Sequence, residues 1–140
     1  SVAYVIPANL YGPRDKSHHV IPDMIRKFTS GAERVELWGD GTPTRDFMHV
    51  TDAARGVVAA LLSDVGPAPI NLGTGVETSM LRLATLIADA CGYRGEVSWD
   101  ASRPNGQARR CLDSSRALEV LGWEAKGKLE DGIRELCAAL

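Results

Sequence analysis

No stretch of these 140 residues completes a glycine-rich phosphate fingerprint, a P-loop, a G-x-S-x-G elbow or a Y-x-x-x-K pair. Residues able to read an anion are present without an evident catalytic engine. Cysteine is scarce: Cys91, Cys111 and Cys137 are odd in number, widely spaced and set in apolar or helical surroundings, which argues against a disulfide or zinc framework and for reduced thiols in a cytoplasmic protein. The histidines, His18, His19 and His49, share no ligand spacing with a carboxylate or thiol cluster, so no metal site is expected. No apolar run is long enough to span a membrane, and no basic or cleavable leader opens the chain. Sixteen Lys and Arg against 18 Asp and Glu leave a net charge of -2, too little bias for a nucleic-acid partner and compatible with a local anion pocket. There is no repeat and no low-complexity segment.

What is present reads as one globular α/β domain over residues 1–140, 44% hydrophobic and 24% charged. Val2–Ile6 is a nearly continuous apolar, β-branched run, the pattern of a strand covered on both faces. Few other strands are predicted, at Val35–Trp38, Asp46–Val50, Ala68–Leu72 and Glu96–Trp99, so the first strand is expected to belong to a sheet whose remaining strands lie outside this chain. Helices are better punctuated. Pro22 opens one that Gly31 follows; Thr51 is the expected cap of the next, with Ala54, Val57, Val58, Leu61 and Leu62 as its inward stripe and Gly56 as its weak point. Thr78 or Ser79 caps a helix ended by Gly92, with Leu83, Leu86, Ile87 and Ala90 on one face. Asp113, Ser114 or Ser115 caps "RALEVL" ahead of Gly122, and Leu129, Ile133, Leu136 and Leu140 face inward on the last helix.

Chemistry is sought in the irregular segments Asn9–His19, Gly39–Arg45 and Ser102–Arg110. Asn9 follows the first strand, where open α/β sheets bind ligands, or else it ties down a turn. His19 precedes a helix N-terminus, a place for a proton donor or for a structural histidine. "WGDGTPTRDF" reads as a hairpin that sets Trp38 and Arg45 at neighbouring positions, suited to a base and a phosphate; a core-edge indole and a solvated guanidinium fit the residues equally. Arg26 and Lys27 lie mid-helix, and of the adjacent Arg109 and Arg110 at most one meets a ligand.

Taken in order, "PANLYGPRD", "SHHVIPDMIRKF", "VELWGDGTPTRDFMHVTDAARGV", "INLGTG" and "PNGQARRCLDSSRALEVLGW" resemble the C-terminal half of extended short-chain dehydrogenase/reductase enzymes of the NAD-dependent epimerase/dehydratase family. The resemblance implies the substrate-binding portion of an extended Rossmann-type nucleotide-sugar enzyme, with the dinucleotide-binding sheet absent. It implies a reaction in which a GDP-bound 4-keto-6-deoxymannose is epimerised at two carbons and then reduced by NADP(H). By the same resemblance, Pro7, Ala8, Asn9 and Leu10 line the nicotinamide end, and His19 is the acid of the epimerisation. Lys27, Trp38, Arg45 and Asn105 contact the nucleotide sugar, with Trp38 at the base and Arg45 at the diphosphate, and some relatives carry an acid at the Asn105 position; of the two adjacent arginines, Arg110 is taken as the candidate substrate contact beside Arg45. Alternatives are a UDP- or dTDP-sugar epimerase or dehydratase, or a binding module without catalysis. The exposed first strand predicts a homodimer or domain-swapped dimer.

Overall fold

The computed structural model describes residues 2–15 and 18–139. Strand β1 (Val5–Pro7) runs parallel to the later Ile70–Leu72 strand, with Val5 opposite Ile70. The chain then changes partners. Ala8 still donates its N–H to Leu72 O at 2.8 Å, but Asn9 donates to Asp46 O at 3.1 Å, and β2 (Asn9–Tyr11) pairs in parallel with the Phe47–His49 strand. Residues 8–10 therefore occupy the point where two parallel pairs diverge, a gap that no strand among the described residues fills.

The next elements are α1 (Val20–Phe28), β3 (Arg34–Trp38), β4 (Thr44–Arg45), β5 (Phe47–His49) and α2 (Val50–Leu62). After them come β6 (Ile70–Leu72), β7 (Thr78–Ser79), α3 (Met80–Ala90), β8 (Glu96–Asp100), β9 (Arg109–Arg110), α4 (Ser115–Leu121) and α5 (Leu129–Ala138). The expected Trp38–Arg45 hairpin does not form. β3 pairs in parallel with β8, whereas β4 lies between antiparallel β7 and parallel β9. The cause is local: Gly39 and Gly41 take φ of 83° and 78°, and the Asp40 carboxylate accepts from both the N–H and the hydroxyl of Thr42, so the run turns the chain out of one sheet and into another.

Three further expectations are corrected. The pairing strand at the start covers Val5–Pro7 rather than Val2–Ile6, and with one partner only it leaves Val2, Tyr4 and Ile6 exposed instead of doubly covered. On α2 the cap is His49, whose ring accepts from Thr51 N, and Thr51 itself is helical. The expected inward stripe of α2 points outward, with Leu61 and Leu62 about four-fifths exposed (79% and 81%). The buried face is instead Asp52, Ala53, Gly56 and Ala60, because the helix sits so close that a Cβ on Gly56 would lie 2.8 Å from Leu72 and 3.1 Å from Trp123. Closeness, not bulk, chose the face.

Helix α1 begins at Val20, so Pro22 lies within its first turn rather than opening it, and Ser114 precedes α4 without a side-chain cap bond; other helix signals hold. Ser79 caps α3 by accepting from Arg82 N, and Gly92 and Gly122 follow α3 and α4 with positive φ. The inward role expected of Leu140 lies outside the described residues. Two cores result. One gathers Ile21, Phe28, Val35, Leu83, Ile87 and Ile133 between α1, α3, α5 and β3; the other gathers Met48, Ile70, Leu72, Ala117 and Trp123 between β1, β5, β6, α2 and α4. Each fully buried branched side chain contributes about 1.5–3 kcal/mol by leaving water.

Candidate functional site

A cavity of about 700 Å³ opens at the divergence point of β1 and β2. Its walls carry Ala8, Asn9 and Leu10 from the crossover, His19 from the entrance to α1, Arg45 from β4, and Phe47 and Met80 behind them. Most of the lining is apolar, with a few polar groups converging on it, which is how small-molecule sites are built.

Each polar group is placed by its own backbone device. The Asn9 amide Nδ2 donates to Asp46 O at 3.0 Å, the same carbonyl that takes the Asn9 N–H, so the amide is fixed and its Oδ1 remains an acceptor. Arg45 commits Nη1 to the carbonyls of Thr44 and Gln107 at 2.7 and 2.6 Å. Its Nη2 and Nε have no protein acceptor among the described residues, which leaves a half-buried guanidinium with donors for an anion. His19 is the N-cap residue of α1, an exposed residue at the cavity wall beside the helix N-terminus. The chemistry offered is an anion clamp, a fixed amide acceptor and an imidazole around one apolar hollow.

Sequence reasoning did not single out the group behind them. Asp46 is 1% exposed, and its carboxylate accepts from Thr74 N (3.1 Å), Thr74 Oγ1 (2.5 Å) and Gly75 N (3.2 Å). It thereby pins the loop after β6 against the strand that supplies Arg45. Asp52, 3% exposed, does the same for Lys126 and Gly127, whose N–H groups donate at 3.1 and 2.8 Å, while pairing with Arg55. The available signal was an acid embedded in an apolar stretch, "RDFMHVTDAA", where a charge is kept only if partners reach it.

Other expected site residues fall elsewhere. Pro7 ends β1 and is not part of the cavity wall. Lys27 Nζ donates to Glu36 O at 3.3 Å and pairs with Asp23 at 3.6 Å, facing β3. Trp38 lies outside the cavity, 63% exposed, with the Arg103 guanidinium 5.0 Å from its ring centroid. Asn105 is occupied structurally, its Oδ1 accepting from Asp40 N at 2.8 Å. Arg109 is held by Glu77, whose carboxyl is pulled below its ordinary range by hydrogen bonds from Arg109 and Thr44. Arg110 is the register partner of Arg45 in parallel strands, so the two side chains leave the same face.

The segment from Ser102 to Arg110 thus straps the stretch from the end of β3 to β4 at three points: Arg103 on Trp38, Asn105 on Asp40 and Gln107 on Arg45. For a dinucleotide cofactor, the crossover residues Ala8–Leu10 offer a wall and one fixed amide, which fits the nicotinamide end. No helix among the described residues is long and apolar enough to cross a membrane.

The model of the NAD dependent epimerase/dehydratase family matches residues 1–73, more than half the chain. A putative GDP-L-fucose synthase 2 of Oryza sativa subsp. japonica is 44% identical over 138 residues, which cover 93% of this chain and 40% of the relative. The GDP-L-fucose synthase of Escherichia coli K12 is 41% identical, covering 92% of this chain and 45% of the relative. Among solved structures, a GDP-L-fucose synthetase from Naegleria fowleri bound to NADP superposes with a TM-score of 0.89 at 27% identity, over 97% of this chain and 45% of that one. A UDP-glucose 4-epimerase from Thermotoga maritima with UDP-glucose reaches a TM-score of 0.85 at 30% identity, over 96% and 44%. The chain spans less than half the length of each of these proteins.

Proposed function

The chain belongs to the NAD dependent epimerase/dehydratase family, and from that premise we propose that it is the substrate-binding portion of an NADP-dependent epimerase/reductase of the GDP-L-fucose synthase type, acting on GDP-4-keto-6-deoxymannose. The observation that carries the reading is Arg45, a guanidinium with uncommitted donors on the wall of the same cavity as Asn9 and His19. In this reading the sugar diphosphate lies across the cavity, its phosphates on Arg45 and on Arg110 beside it. Trp38, beyond the wall, meets the base. His19 supplies a proton to the keto sugar from the α1 entrance, and the Asn9 Oδ1 accepts from a hydroxyl or from the nicotinamide carboxamide. Bound NADPH supplies hydride; Ala8–Leu10 would border its nicotinamide end. In the same reading the exposed edge of β1 belongs beside the strands of a dinucleotide-binding sheet outside residues 1–140.

The alternative of a UDP-sugar enzyme of the same family shares the diphosphate contact and differs only at the base, a difference the Trp38 ring does not by itself decide. Titration calorimetry separates the outcomes. GDP is expected to bind the chain, and Arg45→Ala to weaken GDP and UDP alike by about 1.5–3 kcal/mol through loss of a charge-assisted contact. A folded Arg45→Ala variant that binds GDP as tightly as the parent removes the diphosphate role. The chain by itself is expected to oxidise no NADPH with a nucleotide sugar, because its sequence completes no glycine-rich phosphate loop for the cofactor's pyrophosphate; measurable oxidation overturns that part.

A further inference from the structure

The strap across the loop after β3 does more than hold the loop in place. Asp100 is the register partner of Trp38 at the ends of β8 and β3, and Gly39 N donates to Asp100 O at 2.9 Å. From Asp100 the chain makes a tight turn: Asp100 Oδ1 accepts from Ser102 N at 3.0 Å and Ser102 Oγ at 2.6 Å, and Arg103 N donates to Asp100 O at 3.1 Å. The other carboxylate oxygen, Oδ2, lies 3.4 Å from Arg103 Nε. One residue opposite the indole thus steers the guanidinium that covers it. The result is a planar cation 5.0 Å from the Trp38 centroid, on a ring that is otherwise 63% exposed.

We propose that Arg103 is a positioning residue for base selection: it clamps the Trp38 indole from one face, so that a single, ordered face is offered to the base of a nucleoside diphosphate. This rests on the reading above, in which Trp38 meets the base. The physical case is one of order and overlap. An exposed indole with both faces open samples several rotamers, and a base that stacks on it must first stop that motion. Cation–π attraction and the link through Asp100 hold the ring before the ligand arrives. Once the ring is ordered, stacking scales with overlapped area, and a bicyclic purine overlaps more than a pyrimidine. The clamp therefore favours guanine over uracil without donating a hydrogen bond to either.

The test compares Arg103→Ala, Arg103→Lys and Trp38→Ala in the full 140-residue chain, with GDP and UDP titrated by calorimetry and indole accessibility read by acrylamide quenching without nucleotide. Arg103→Ala is expected to weaken GDP about two- to fivefold, the equivalent of an exposed cation–π contact, with less than about a twofold change for UDP. It should also raise quenching of the Trp38 emission, identified by its loss in Trp38→Ala. Arg103→Lys, which keeps the charge but loses the plane, should fall between. Equal weakening of GDP and UDP would mean that Arg103 acts as a phosphate charge and overturns the clamp. GDP weakened by Trp38→Ala but not by Arg103→Ala also overturns it, while leaving the base-contact reading intact. If Trp38→Ala binds both nucleotides like the parent, that underlying reading falls and the clamp with it.

Discussion

Replacing Asp46 by asparagine changes one oxygen into an NH2 group and little in volume, so it isolates the carboxylate's hydrogen bonding from packing. In the parent, Oδ1 accepts two bonds from Thr74 and Oδ2 accepts one from Gly75 at 3.2 Å. In Asp46→Asn one of these faces becomes a donor opposite a donor. The pocket leaves no room to rearrange, since a Cβ on Gly73 would already stand 2.5 Å from Oδ2. One charge-assisted bond is lost and the remaining two become neutral, a cost of about 2–3 kcal/mol. Against a typical domain stability of about 5–15 kcal/mol this is a large fraction. With a urea slope of about 1–3 kcal/mol/M, the midpoint should fall by roughly 1 M. The main-chain carbonyl that fixes Asn9 is untouched, so GDP affinity should persist wherever the variant is folded. A midpoint within about 0.2 M of the parent would refute the claim that Asp46 holds the Thr74–Gly75 loop.

Gly56→Ala should destabilise despite alanine's higher helix propensity: crowding against buried Leu72 and Trp123 costs about 1–3 kcal/mol, against about 1 kcal/mol gained, and a raised thermal midpoint would contradict the close packing of α2. Tyr11, buried against His49 and α5, has its phenol pushed up to about 12, first by burial and then by Asp52, Glu130, Glu135 and Asp131. The folded form keeps that proton where the unfolded chain releases it, so stability should fall as pH rises from 10 to 12; Tyr11→Phe should flatten that fall, and an unchanged alkaline unfolding profile would count against it. The open edge of β1, with Val2, Tyr4 and Ile6 exposed, should drive self-association, and light scattering that reports a monomer at high concentration would refute it.

Features governed by near neighbours were legible in the sequence. Ser79, Gly92 and Gly122 bound helices through contacts within a few residues, and the face Leu83 and Ile87 share on α3 follows from helical spacing alone. The site was partly legible for the same reason: Asn9, His19 and Arg45 stand in irregular segments beside element ends, and the fold brings them to one cavity. What failed was decided at a distance. Nothing near Trp38 says that β3 will pair with β8, a contact such as Arg34 Nε to Ser98 Oγ that spans 64 positions. The larger apolar residues of α2 suggested a buried stripe, but the space beside Leu72 and Trp123 admits only the small-residue face, and that space is made by segments far along the chain. The resemblance placed Asn105 at the ligand, and nothing near it in the sequence announces that its Oδ1 accepts from Asp40 N, 65 positions away.

The reach of the two buried carboxylates also sets a timetable. Asp46 finds its acceptor role filled at Thr74, 28 positions later, while Asp52 waits for Gly127, 75 positions later. At a synthesis rate of roughly 5–20 residues per second, the first interval is about 1–6 s and the second about 4–15 s. Through the longer one, Arg55 alone attends the Asp52 charge, and Trp123, whose Nε1 donates to Asp52 O at 3.2 Å, has yet to appear. A nascent chain therefore completes the loop behind Arg45 well before it can seat α2. A ribosome stalled before Lys126 leaves a product in which neither backbone N–H that caps the Asp52 carboxylate is yet present.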